Sequence, residues 1–432
     1  MRIGFITPSS RENYHPLKNQ SLVALYLLTI LDMEFPKELD LSLIDLRGLN
    51  EQEVLNRIPE NDLFLYSVTS TEYDEYENLV KNVKKLYPKA KNVAGGPHIN
   101  IYPTGSLELF DAIALGEGEE TIKEIVNDTS ASRLKRIYQQ EKKVDINVYP
   151  FPSRKFYSRS SIANSGILPG KYKDLPGTNV LFSRGCPYSC RFCANMTRGP
   201  VRFRLPELIM DEIEYLKNEY SVEALALKDD QSIPTNKQIA HKSLEAIAKT
   251  NIKWRGQSRA NGIDLDTIKL AKESGCVEIA VGIESVSQKV VDIVNKKIDV
   301  SKAKKYLADL KKEGIERRLL LMLGLPGEPN DIVDQTINFI KESEPSTVLF
   351  SLFCPVPGSE FYNNAGKYGI KLDSYITSFR TAFGRFDENE KAHLTFEYEK
   401  TTPFGTSISR ERIVENYEQV QSFLRNNGLN EY

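Results

Sequence analysis

The sequence predicts an α/β protein with two successive domains and a small mixed C-terminal region. Short apolar runs rich in β-formers alternate with helical patterns in two separate series along the 432 residues. A stretch rich in Pro, Gly and Ser, residues 150–178, lies between the two series and is typical of a linker or a long crossing segment. We therefore predict a first domain over 1–130, a linker over 131–178, a second domain over 179–370 and a C-terminal region over 371–432.

The first series predicts a doubly wound, Rossmann-like domain with five parallel strands. Strands rich in Ile, Val and Leu that alternate with helices form sheets covered on both faces. The strand runs are RIGFIT (2–7), LDLSLIDL (39–46), DLFLYSVTS (62–70), KNVAGG (91–96) and DAIALG (111–116). The helical patterns between them fall at 20–34, 51–58, 72–87 and 119–127. A ligand of such a domain binds outside the carboxyl ends of the strands, which here carry glycines and hydroxyl residues.

The second series predicts six β/α units. Their six parallel strands form an open, partial barrel of the TIM type, short of the eight strands that close one. The strand runs are NVLFSR (179–184), ALALKD (224–229), KWRGQS (253–258), EIAVGIE (278–284), RLLLMLG (318–324) and TVLFSLF (347–353). The helices are predicted at 206–220, 235–250, 264–274, 287–297, 301–313 and 330–343. The C-terminal region ends in a further predicted helix, with Ser409 as its N-cap.

Composition and charge exclude several classes of protein. A formal net charge of -2 argues against broad affinity for nucleic acid or an acidic membrane. The N-terminus lacks the pattern of a signal peptide, and the apolar segment 21–31 is too short to span a bilayer. Five cysteines, three of them clustered, do not form a disulfide framework. The sequence therefore predicts a cytoplasmic protein without a nucleic-acid partner or a transmembrane segment.

The cluster of cysteines lies in the stretch RGCPYSCRFCANMTRG, where Cys186, Cys190 and Cys193 follow the spacing C-x3-C-x2-C. A structural zinc site needs a fourth ligand, and none of the four histidines lies within forty residues of the cluster. Three thiolates on a 4Fe–4S cluster leave one iron open to a substrate or cofactor. The stretch also follows the first predicted barrel strand, at the edge where barrel active sites lie. We therefore predict a 4Fe–4S cluster here.

The segment CPYSCRFC resembles the motif of the radical S-adenosylmethionine (SAM) superfamily, C-x3-C-x-aromatic-C, with Phe192 at the aromatic position. The resemblance implies that the open iron binds the amino and carboxylate groups of the methionine part of SAM. It also implies that an electron from the cluster cleaves SAM to a 5′-deoxyadenosyl radical. An external electron donor of the flavodoxin or ferredoxin type is then expected.

The ends of the other predicted barrel strands carry polar residues and glycines that face the same mouth. Asp229 and Asp230 match the acidic stretch that holds the SAM ammonium in the radical SAM family. The Gly-Gly-Glu form of that stretch is absent from this sequence. Ser258 and Arg259 match the segment that contacts the SAM carboxylate. The predicted SAM-binding residues are Phe192, Asp229, Asp230, Ser258, Arg259, Glu284 near the ribose, and Gly324 and Pro326 on the adenine side.

Each of these strand ends also has a plain structural interpretation. The two aspartates suit helix caps, and the GLPGE stretch suits an ordinary turn. Glu284 and Arg259 suit a structural ion pair, and Cys276 suits a small buried apolar residue. The location of all the sites at one edge of the barrel favours the functional interpretation.

The first domain resembles the cobalamin-binding domain that precedes many radical SAM barrels, through SVTS, VAGGPH and ALGEGEET in that order. The Asp-x-His-x-x-Gly motif that supplies a histidine to cobalt is absent, as in relatives that hold cobalamin without one. His98 in the GGPH turn is expected to be structural. The absence of a complete G-x-G-x-x-G disfavours a dinucleotide. The predicted cobalamin-binding residues are Thr7, Pro8, Ser67, Thr69, Gly95, Gly96, Gly116 and Glu117. A purely structural domain is the alternative.

These patterns together predict a cobalamin-dependent radical SAM enzyme of class B. It would methylate an unactivated carbon, or phosphorus, of a small-molecule or biosynthetic-intermediate substrate. One alternative is a radical SAM enzyme that catalyses oxidation, cyclisation or rearrangement, with or without cobalamin. A second is an iron–sulfur redox sensor or electron carrier, although such clusters normally have four protein ligands. The C-terminal aromatics are expected to cap the substrate side or to pack on the barrel: Tyr375, Phe379, Phe383, Phe386 and Tyr398.

Overall fold

The computed structural model describes residues 1–10, 15–195, 197–260, 262–373 and 391–430. The chain divides into two compact units, the first from Met1 to Asn164 and the second beginning at Ser165. Each unit contains a six-stranded sheet in which every neighbouring pair of strands is parallel. The predicted α/β class, with a doubly wound sheet followed by a partial barrel, is confirmed.

The sheet of the first unit has the order β2-β1-β3-β4-β5-β6. Its strands are β1 (Arg2–Thr7), β2 (Asp40–Asp45), β3 (Leu63–Ser67), β4 (Lys91–Gly95), β5 (Ala112–Gly116) and β6 (Ile137–Gln140). Its helices are α1 (Leu22–Glu34), α2 (Glu51–Asn56), α3 (Tyr73–Leu86), α4 (Pro97–Ile101), α5 (Pro103–Leu109) and α6 (Glu119–Ser130). The predicted count of five strands was wrong. The sixth strand, IYQQ, is a short polar edge strand without an apolar run to reveal it.

Side chains of β1 alternate between the two faces of this sheet, and each face is covered by helices. Ile3 and Phe5 pack in one apolar cluster with residues of α1 and α6. Ile6 packs in the other with residues of α3 and α5. This double coverage explains why the strands are apolar on both faces. The strand order reverses between β1 and β3, and ligands of doubly wound sheets bind at the carboxyl ends of such a pair.

The sheet of the second unit has the order β7-β10-β11-β12-β13-β14, which is the order of the chain, and it forms a half-barrel. Its strands are β7 (Gly177–Val180), β10 (Ala224–Leu227), β11 (Lys253–Arg259), β12 (Cys276–Glu284), β13 (Glu316–Leu323) and β14 (Thr347–Leu352). The helices between them are α7 (Pro206–Tyr220), α8 (Lys237–Lys249), α9 (Leu265–Glu273), α10 (Gln288–Ile293), α11 (Val300–Lys312) and α12 (Ile332–Ser343). All six carboxyl ends therefore lie at one edge of the sheet.

The first barrel strand ends four residues earlier than predicted. After β7 the chain leaves the parallel ladder, and β8 (Ser183–Arg184) pairs antiparallel with β9 (Arg202–Phe203). The reason is the carboxylate of Asp229, which accepts hydrogen bonds from the amides of Phe182, over 3.0 Å, and Ser183. The β8–β9 pair forms the base of the loop that carries the cysteines.

The C-terminal part of the second unit packs against the last barrel strands. After the short helix α13 (Glu360–Asn363), β15 (Ile370–Leu372) pairs antiparallel with β16 (Phe396–Tyr398), and β17 (Thr401–Thr402) pairs with β18 (Gly405–Thr406). Helix α14 (Arg410–Asn426) begins after Ser409, whose hydroxyl accepts a hydrogen bond from the amide of Arg412 over 3.3 Å, which confirms the predicted N-cap. The predicted capping aromatics Tyr375, Phe379, Phe383 and Phe386 lie outside the described residues. Among the described helices, none combines the length and apolar character of a membrane span.

Candidate functional site

The three clustered cysteines occupy a loop, residues 185–200, that the chain closes with its own backbone. Gly185 opens the loop at φ +112, where a Cβ would come within 2.8 Å of the Pro200 carbonyl oxygen. The amide of Gly199 donates to the Cys186 carbonyl over 2.9 Å, and the amide of Cys193 donates to the Cys190 carbonyl over 3.1 Å. None of the three thiols forms a disulfide. The loop thus presents three thiols from one tight turn.

The environment of the thiols is partly dry. Cys190 is 7% exposed, and Cys186 and Cys193 are half-buried. Burial raises the pKa of the Cys186 and Cys193 thiols, and the neighbouring cysteines and Asp230 raise it further. Two thiols whose ionisation is disfavoured in this way call for a positive partner, because a thiolate is the form that binds metal.

These residues fit a 4Fe–4S cluster better than a single ion. Within the described ranges, no group of three His, Cys, Asp or Glu side chains is arranged to hold one metal ion. The thiolates of a cubane bind different iron atoms, so they stand further apart than ligands that share one ion. Cys276, a predicted bystander, is 2% exposed at the amino end of β12, the edge opposite the loop. It behaves as the small buried apolar residue that we expected.

Arg259, at the carboxyl end of β11, lies against the cysteine loop. Its guanidinium stacks on the ring of Tyr188, 3.6 Å from the ring centre, and Nη1 lies 3.8 Å from the sulfur of Cys190. The residue is 7% exposed, yet Nε and Nη2 have no hydrogen-bond partner among the described residues. A buried guanidinium with two free donors fits an anionic ligand such as a carboxylate. The alternative of an ion pair between Arg259 and Glu284 is wrong, because Glu284 pairs elsewhere.

Asp229 and Asp230 follow β10 and have different surroundings. Asp229 is 1% exposed and anchors the start of β8, and burial raises its pKa to about 7. Its Oδ2 has no partner among the described residues. Asp230 Oδ2 accepts hydrogen bonds from Asn195 Nδ2 over 2.9 Å and from Thr197 Oγ1 over 3.1 Å. Asp229 therefore shapes the base of the cysteine loop, and Asp230 holds its far side.

Glu284 ends β12 and pairs with Lys296, a residue that we did not predict. Glu284 Oε1 lies 2.7 Å from Lys296 Nζ, and their side chains are 12% and 9% exposed. Lys296 Nζ also lies 5.9 Å from the ring centre of Phe192, the aromatic residue of the cysteine motif. The strand end thus reaches the cysteine loop through a buried ion pair.

The GLPGE loop after β13 is closed by its own glutamate. The carboxylate of Glu328 accepts hydrogen bonds from the amides of Gly324, over 2.9 and 3.0 Å, and Leu325, over 3.0 Å. The Tyr398 hydroxyl donates to the Gly324 carbonyl over 2.7 Å. Both backbone groups of Gly324 are therefore engaged, and Pro326 is buried beside it. Within the described residues, no hydrogen bond joins this loop to the cysteine loop.

Ser258 lies on the other face of β11 from Arg259, because successive side chains of a strand point to opposite faces. Its hydroxyl lies 2.5 Å from the Tyr306 hydroxyl on α11, in the layer between sheet and helix. Ser258 is as buried as Arg259, at 7% exposed, but its hydroxyl is paired with Tyr306 on the helix side of the sheet. The structure therefore brings together Arg259, Asp230 and Glu284 with Phe192 and the cysteines, and it places Ser258 away from them.

The buried carboxyl of Glu328 predicts a pH dependence of stability. Burial raises its pKa to about 8, so the folded state keeps a proton that the unfolded state releases above about pH 4.3. The free energy of unfolding should therefore fall as pH rises from 6 to 8, by about 1 kcal/mol per pH unit. Glu328→Gln should remove this part of the slope. The measurement is urea unfolding followed by fluorescence of Trp254, the single and fully buried tryptophan. Parallel slopes for the two proteins would contradict the assignment.

The predicted cobalamin-binding residues lie along the carboxyl edge of the first sheet, but not all of them reach the surface. Thr7 and Pro8 are buried, and the Thr7 hydroxyl donates to Asp45 Oδ1 over 3.1 Å. Thr69 donates to Glu72 over 2.9 Å, and Glu117 accepts from the amide of Val144 over 2.9 Å. The half-exposed or exposed members are Ser67, Thr69, Gly95, Gly96, Gly116 and Glu117.

The glycines of this edge allow a close approach of backbone. Gly96 has φ +100, and a Cβ there would lie 2.7 Å from the Val68 amide. Gly95 is less crowded, with its nearest neighbour at 3.4 Å. A partly exposed edge without side chains at these two points fits a flat ligand such as cobalamin. The residues present are thus compatible with the cofactor, and they offer backbone at this edge more than the predicted hydroxyls.

His98 is structural, as expected. It is 2% exposed, its ring stacks on Tyr73 with centres 4.0 Å apart, and Nδ1 lies 3.1 Å from Ser70 Oγ. Burial lowers its pKa to about 4, so the ring is neutral at neutral pH. A histidine packed in this way cannot reach a metal above the edge of the sheet.

Gly116 serves the fold as well as the predicted ligand edge. It has φ +84, and a Cβ would lie 2.2 Å from the Gln140 carbonyl oxygen of β6. We expect Gly116→Ala to lower the free energy of unfolding by about 2 kcal/mol, because the backbone must shift or strain. Gly105→Ala in α5 is the control, since nothing lies within 4 Å of its Cβ position. Urea unfolding checks both, and equal stability of the two variants would contradict the prediction.

Several residues of the site had no signal in the sequence. Lys296 and Asn295 follow a short helix, where a lysine is ordinarily solvent-exposed. Glu75 accepts hydrogen bonds from the amides of Ser9 and Ser10, the latter over 3.2 Å, and thereby fixes the loop after β1. Glu75 lies in a run of acidic residues on α3, and nothing in the sequence distinguishes it from the others. Only its contacts in the structure do.

Two family models match the chain. Residues 180–340 match the radical SAM superfamily, and residues 26–126 match the B12 binding domain. The first match implies a 4Fe–4S cluster and SAM as cofactors, and the second supports cobalamin. The cysteine loop and the ends of β10 to β13 fall inside the first range, and β2 to β5 fall inside the second.

Several named proteins are similar to this chain in sequence or in fold. An uncharacterized methyltransferase of Pyrococcus horikoshii is 29% identical over 76% of this chain and 75% of its own length. The anaerobic magnesium-protoporphyrin IX monomethyl ester cyclase of Cereibacter sphaeroides is 27% identical over 65% of this chain, which spans about half of that relative, 49%. The radical SAM methyltransferase TsrM from Kitasatospora setae superposes with a TM-score of 0.73, covering 99% of this chain and 90% of TsrM at 15% identity. The likeness to TsrM is one of fold.

Proposed function

Since the chain combines a B12-binding domain with a radical SAM domain, we propose that it is a cobalamin-dependent radical SAM enzyme that methylates an unactivated carbon or phosphorus atom. When bound, the cofactors supply the hard chemistry: reductive cleavage of SAM to a 5′-deoxyadenosyl radical, and a methyl group carried by cobalamin. The substrate is a small molecule or biosynthetic intermediate. The observation that carries the proposal is the convergence of three thiols and the half-free guanidinium of Arg259 at the mouth of the half-barrel.

The residues of the mouth divide into ligands and supports. We assign Cys186, Cys190 and Cys193 to the cluster, with its fourth iron left for the methionine part of SAM. The two free donors of Arg259 suit the SAM carboxylate, because they are buried and unmatched within the described residues. Asp230, rather than Asp229, has the more exposed carboxylate beside the loop and is our candidate for the ammonium.

The B12-binding domain supports cobalamin through a backbone edge. We propose that Gly95 and Gly96 let the cofactor approach the carboxyl end of β4, and that Ser67 at the end of β3 and Thr69 after it contact the cofactor. No role as cobalt ligand is proposed for His98, since it is buried and stacked on Tyr73. The name of the Pyrococcus relative and the methyltransferase TsrM support methylation as the outcome.

Anaerobic reconstitution tests the proposal. The purified protein is loaded with iron, sulfide and cobalamin, and its visible spectrum is recorded before and after a one-electron donor of the flavodoxin or ferredoxin type is added. We expect SAM to be cleaved to 5′-deoxyadenosine and isotope from methyl-labelled SAM to appear on cobalamin. Absence of deoxyadenosine from fully loaded, reduced protein would refute the proposal.

A radical reaction without methylation is the second candidate. The similarity to a protein named as a cyclase supports it, because that relative also aligns over most of this chain. The same assay separates the two: deoxyadenosine formed by protein that retains no cobalamin would favour cyclisation, oxidation or rearrangement. A redox sensor or electron carrier is less well supported, since it has no use for the polar residues around the loop.

The proposal also covers the cellular compartment and the C-terminal region. We propose a reducing cytoplasm, supported by five cysteines that are all free of disulfides. We keep residues 371–432 as the cap on the substrate side. The Tyr398 hydroxyl in this region donates a hydrogen bond to the Gly324 carbonyl, so the region contacts the loop after β13.

A further inference from the structure

The end of α10, residues 293–296, holds the cysteine loop from the side of the barrel. The backbone amide of Arg191 donates to the Val294 carbonyl over 3.0 Å, and the Arg191 guanidinium donates to the Ile293 carbonyl. Asn295 Nδ2 donates to the Ser189 carbonyl over 3.0 Å and lies 2.9 Å from Ser189 Oγ. The segment therefore fixes the part of the loop that lies between the first and third cysteines.

Lys296 is the last residue of this segment, and its conformation is tightly specified. Its amide donates to the Val291 carbonyl over 3.0 Å, and its neighbours Asn295 and Lys297 both adopt left-handed backbone, with φ 56 and 54. The turn directs the Lys296 side chain inward, where the residue is 7% exposed. Burial of a lysine is costly unless its ammonium is paired. Here the partner is Glu284, at 2.7 Å.

The strand end is shaped to receive this ammonium. Glu284 has φ +70, unusual for a residue with a side chain, and the register with β13 shifts between Gly282 and Glu284. The pair folds back over Gly282, where a Cβ would lie 2.7 Å from Glu284 Oε1 and 3.0 Å from Lys296 Nζ. A bulge, a left-handed glutamate and a glycine thus combine to aim one carboxylate.

Among the described residues, only one oxygen of that carboxylate accepts a hydrogen bond. Oε1 accepts from Lys296, whereas none of the described residues donates a hydrogen bond to Oε2. An ionised carboxylate accepts hydrogen bonds and cannot donate them. The free oxygen therefore suits a hydroxyl donor, and a sugar hydroxyl is the natural ligand for a fixed carboxylate in a nucleotide site.

We propose that Lys296 is a positioning residue for the ribose of SAM. Its ammonium holds Oε1 of Glu284, so that Oε2 accepts a ribose hydroxyl. Through Phe192 and the loop contacts of Asn295, the same segment keeps that acceptor in register with the cluster. The inference rests on the proposed function, because it takes SAM as the ligand of this mouth.

The test compares binding of SAM with binding of a SAM analogue that lacks both ribose hydroxyls. Reconstituted protein with its cluster kept oxidised is used, so that SAM is not cleaved. Binding is read by equilibrium dialysis, and the visible spectrum of the cluster reports loading. Wild-type protein should prefer SAM by about tenfold, the worth of a hydrogen bond to a charged group. Lys296→Met should lose this preference while keeping the cluster signal. Lys296→Arg, which retains a cation, should restore most of it.

Two further variants keep the outcome clear. Lys297→Met is the matched control, since this lysine is exposed and next in sequence, and it should bind like wild type. The double variant Glu284→Gln with Lys296→Met leaves no unpaired buried charge, so it covers the case in which Lys296→Met fails to fold. A preference retained in folded Lys296→Met, or in the folded double variant, overturns the inference. Wild-type protein that binds SAM without a preference overturns it alone, whereas cluster-loaded wild type that binds no SAM overturns the proposed function too.

Discussion

In the Cys190→Ala variant, we expect the iron–sulfur cluster to be lost and SAM cleavage to fall by on the order of 10³-fold or more. Cys190 is the most buried of the three loop thiols and lies beside the guanidinium of Arg259. A cubane left with two protein ligands keeps no third thiol from the loop. The other two cysteines are engaged elsewhere: Cys276 is buried at the opposite edge of the sheet, and Cys354 Sγ lies 3.3 Å from the Thr395 hydroxyl. Iron and sulfide content, the visible spectrum and deoxyadenosine formation measure the effect.

Cys276→Ala provides the control for Cys190→Ala. Its thiol is buried and its pKa is raised by that burial, so it is a poor ligand and serves packing. We expect this variant to keep full iron content and to lose about 1 kcal/mol of unfolding free energy. An intact cluster in Cys190→Ala, or its loss in Cys276→Ala, would show that the ligands are misassigned.

Arg259→Met should weaken SAM binding by on the order of 10²-fold while the cluster is retained. The change removes the buried cation whose Nε and Nη2 are free to pair with the SAM carboxylate. Loss of one partner from a desolvated charge pair costs about 2–5 kcal/mol, which corresponds to this range. Equilibrium dialysis with reconstituted protein whose cluster is kept oxidised gives the dissociation constant, and iron content reports the cluster. Arg259→Lys should recover only part of the affinity, because lysine lacks the planar fork.

Arg255→Met is the matched control for Arg259→Met. Arg255 lies on the same face of β11, four residues nearer the amino end, and its guanidinium pairs with Glu278 over 3.5 Å. We expect this variant to lose stability, because the buried Glu278 loses its ion pair with Arg255. Its affinity for SAM should stay within about twofold. Equal losses of affinity in the two variants would mean that Arg259 acts only through the packing of the sheet.

The parts of the fold that depend on apolar period were predictable. Both sheets and most helices follow from runs of Ile, Val and Leu, and Ser409 capped α14 as its residue type suggests. The sixth strand, β6, escaped because four polar residues at an edge carry no periodic signal. The end of β7 was misplaced because a carboxylate 46 and 47 residues further along the chain draws the amides of Ser183 and Phe182 out of the ladder.

The site was predictable where residue type determines chemistry and not where contacts do. Three cysteines at the spacing C-x3-C-x2-C indicate an iron–sulfur cluster through residue type and spacing alone. In contrast, Ser258 and Arg259 are adjacent in sequence, and only the pleat of β11 decides that one faces α11 and the other the cysteine loop. Lys296 looked like an ordinary surface lysine. Its role depends on the bulge in β12 and on two neighbouring residues with left-handed backbone. Packing between segments that are distant in sequence sets both features.

The anchors of the cysteine loop have a consequence for how the enzyme is made. Asp229, Arg259 and Asn295 hold the loop from positions 46, 69 and 106 residues further along the chain. During synthesis from the N-terminus, the three thiols therefore leave the ribosome well before the segments that shape them. Contacts of such long sequence separation form late in folding. Until the end of α10 has been made and packed, these thiols are open to oxidation and to binding of other metals. We therefore expect the iron–sulfur cluster to be delivered after the half-barrel has folded.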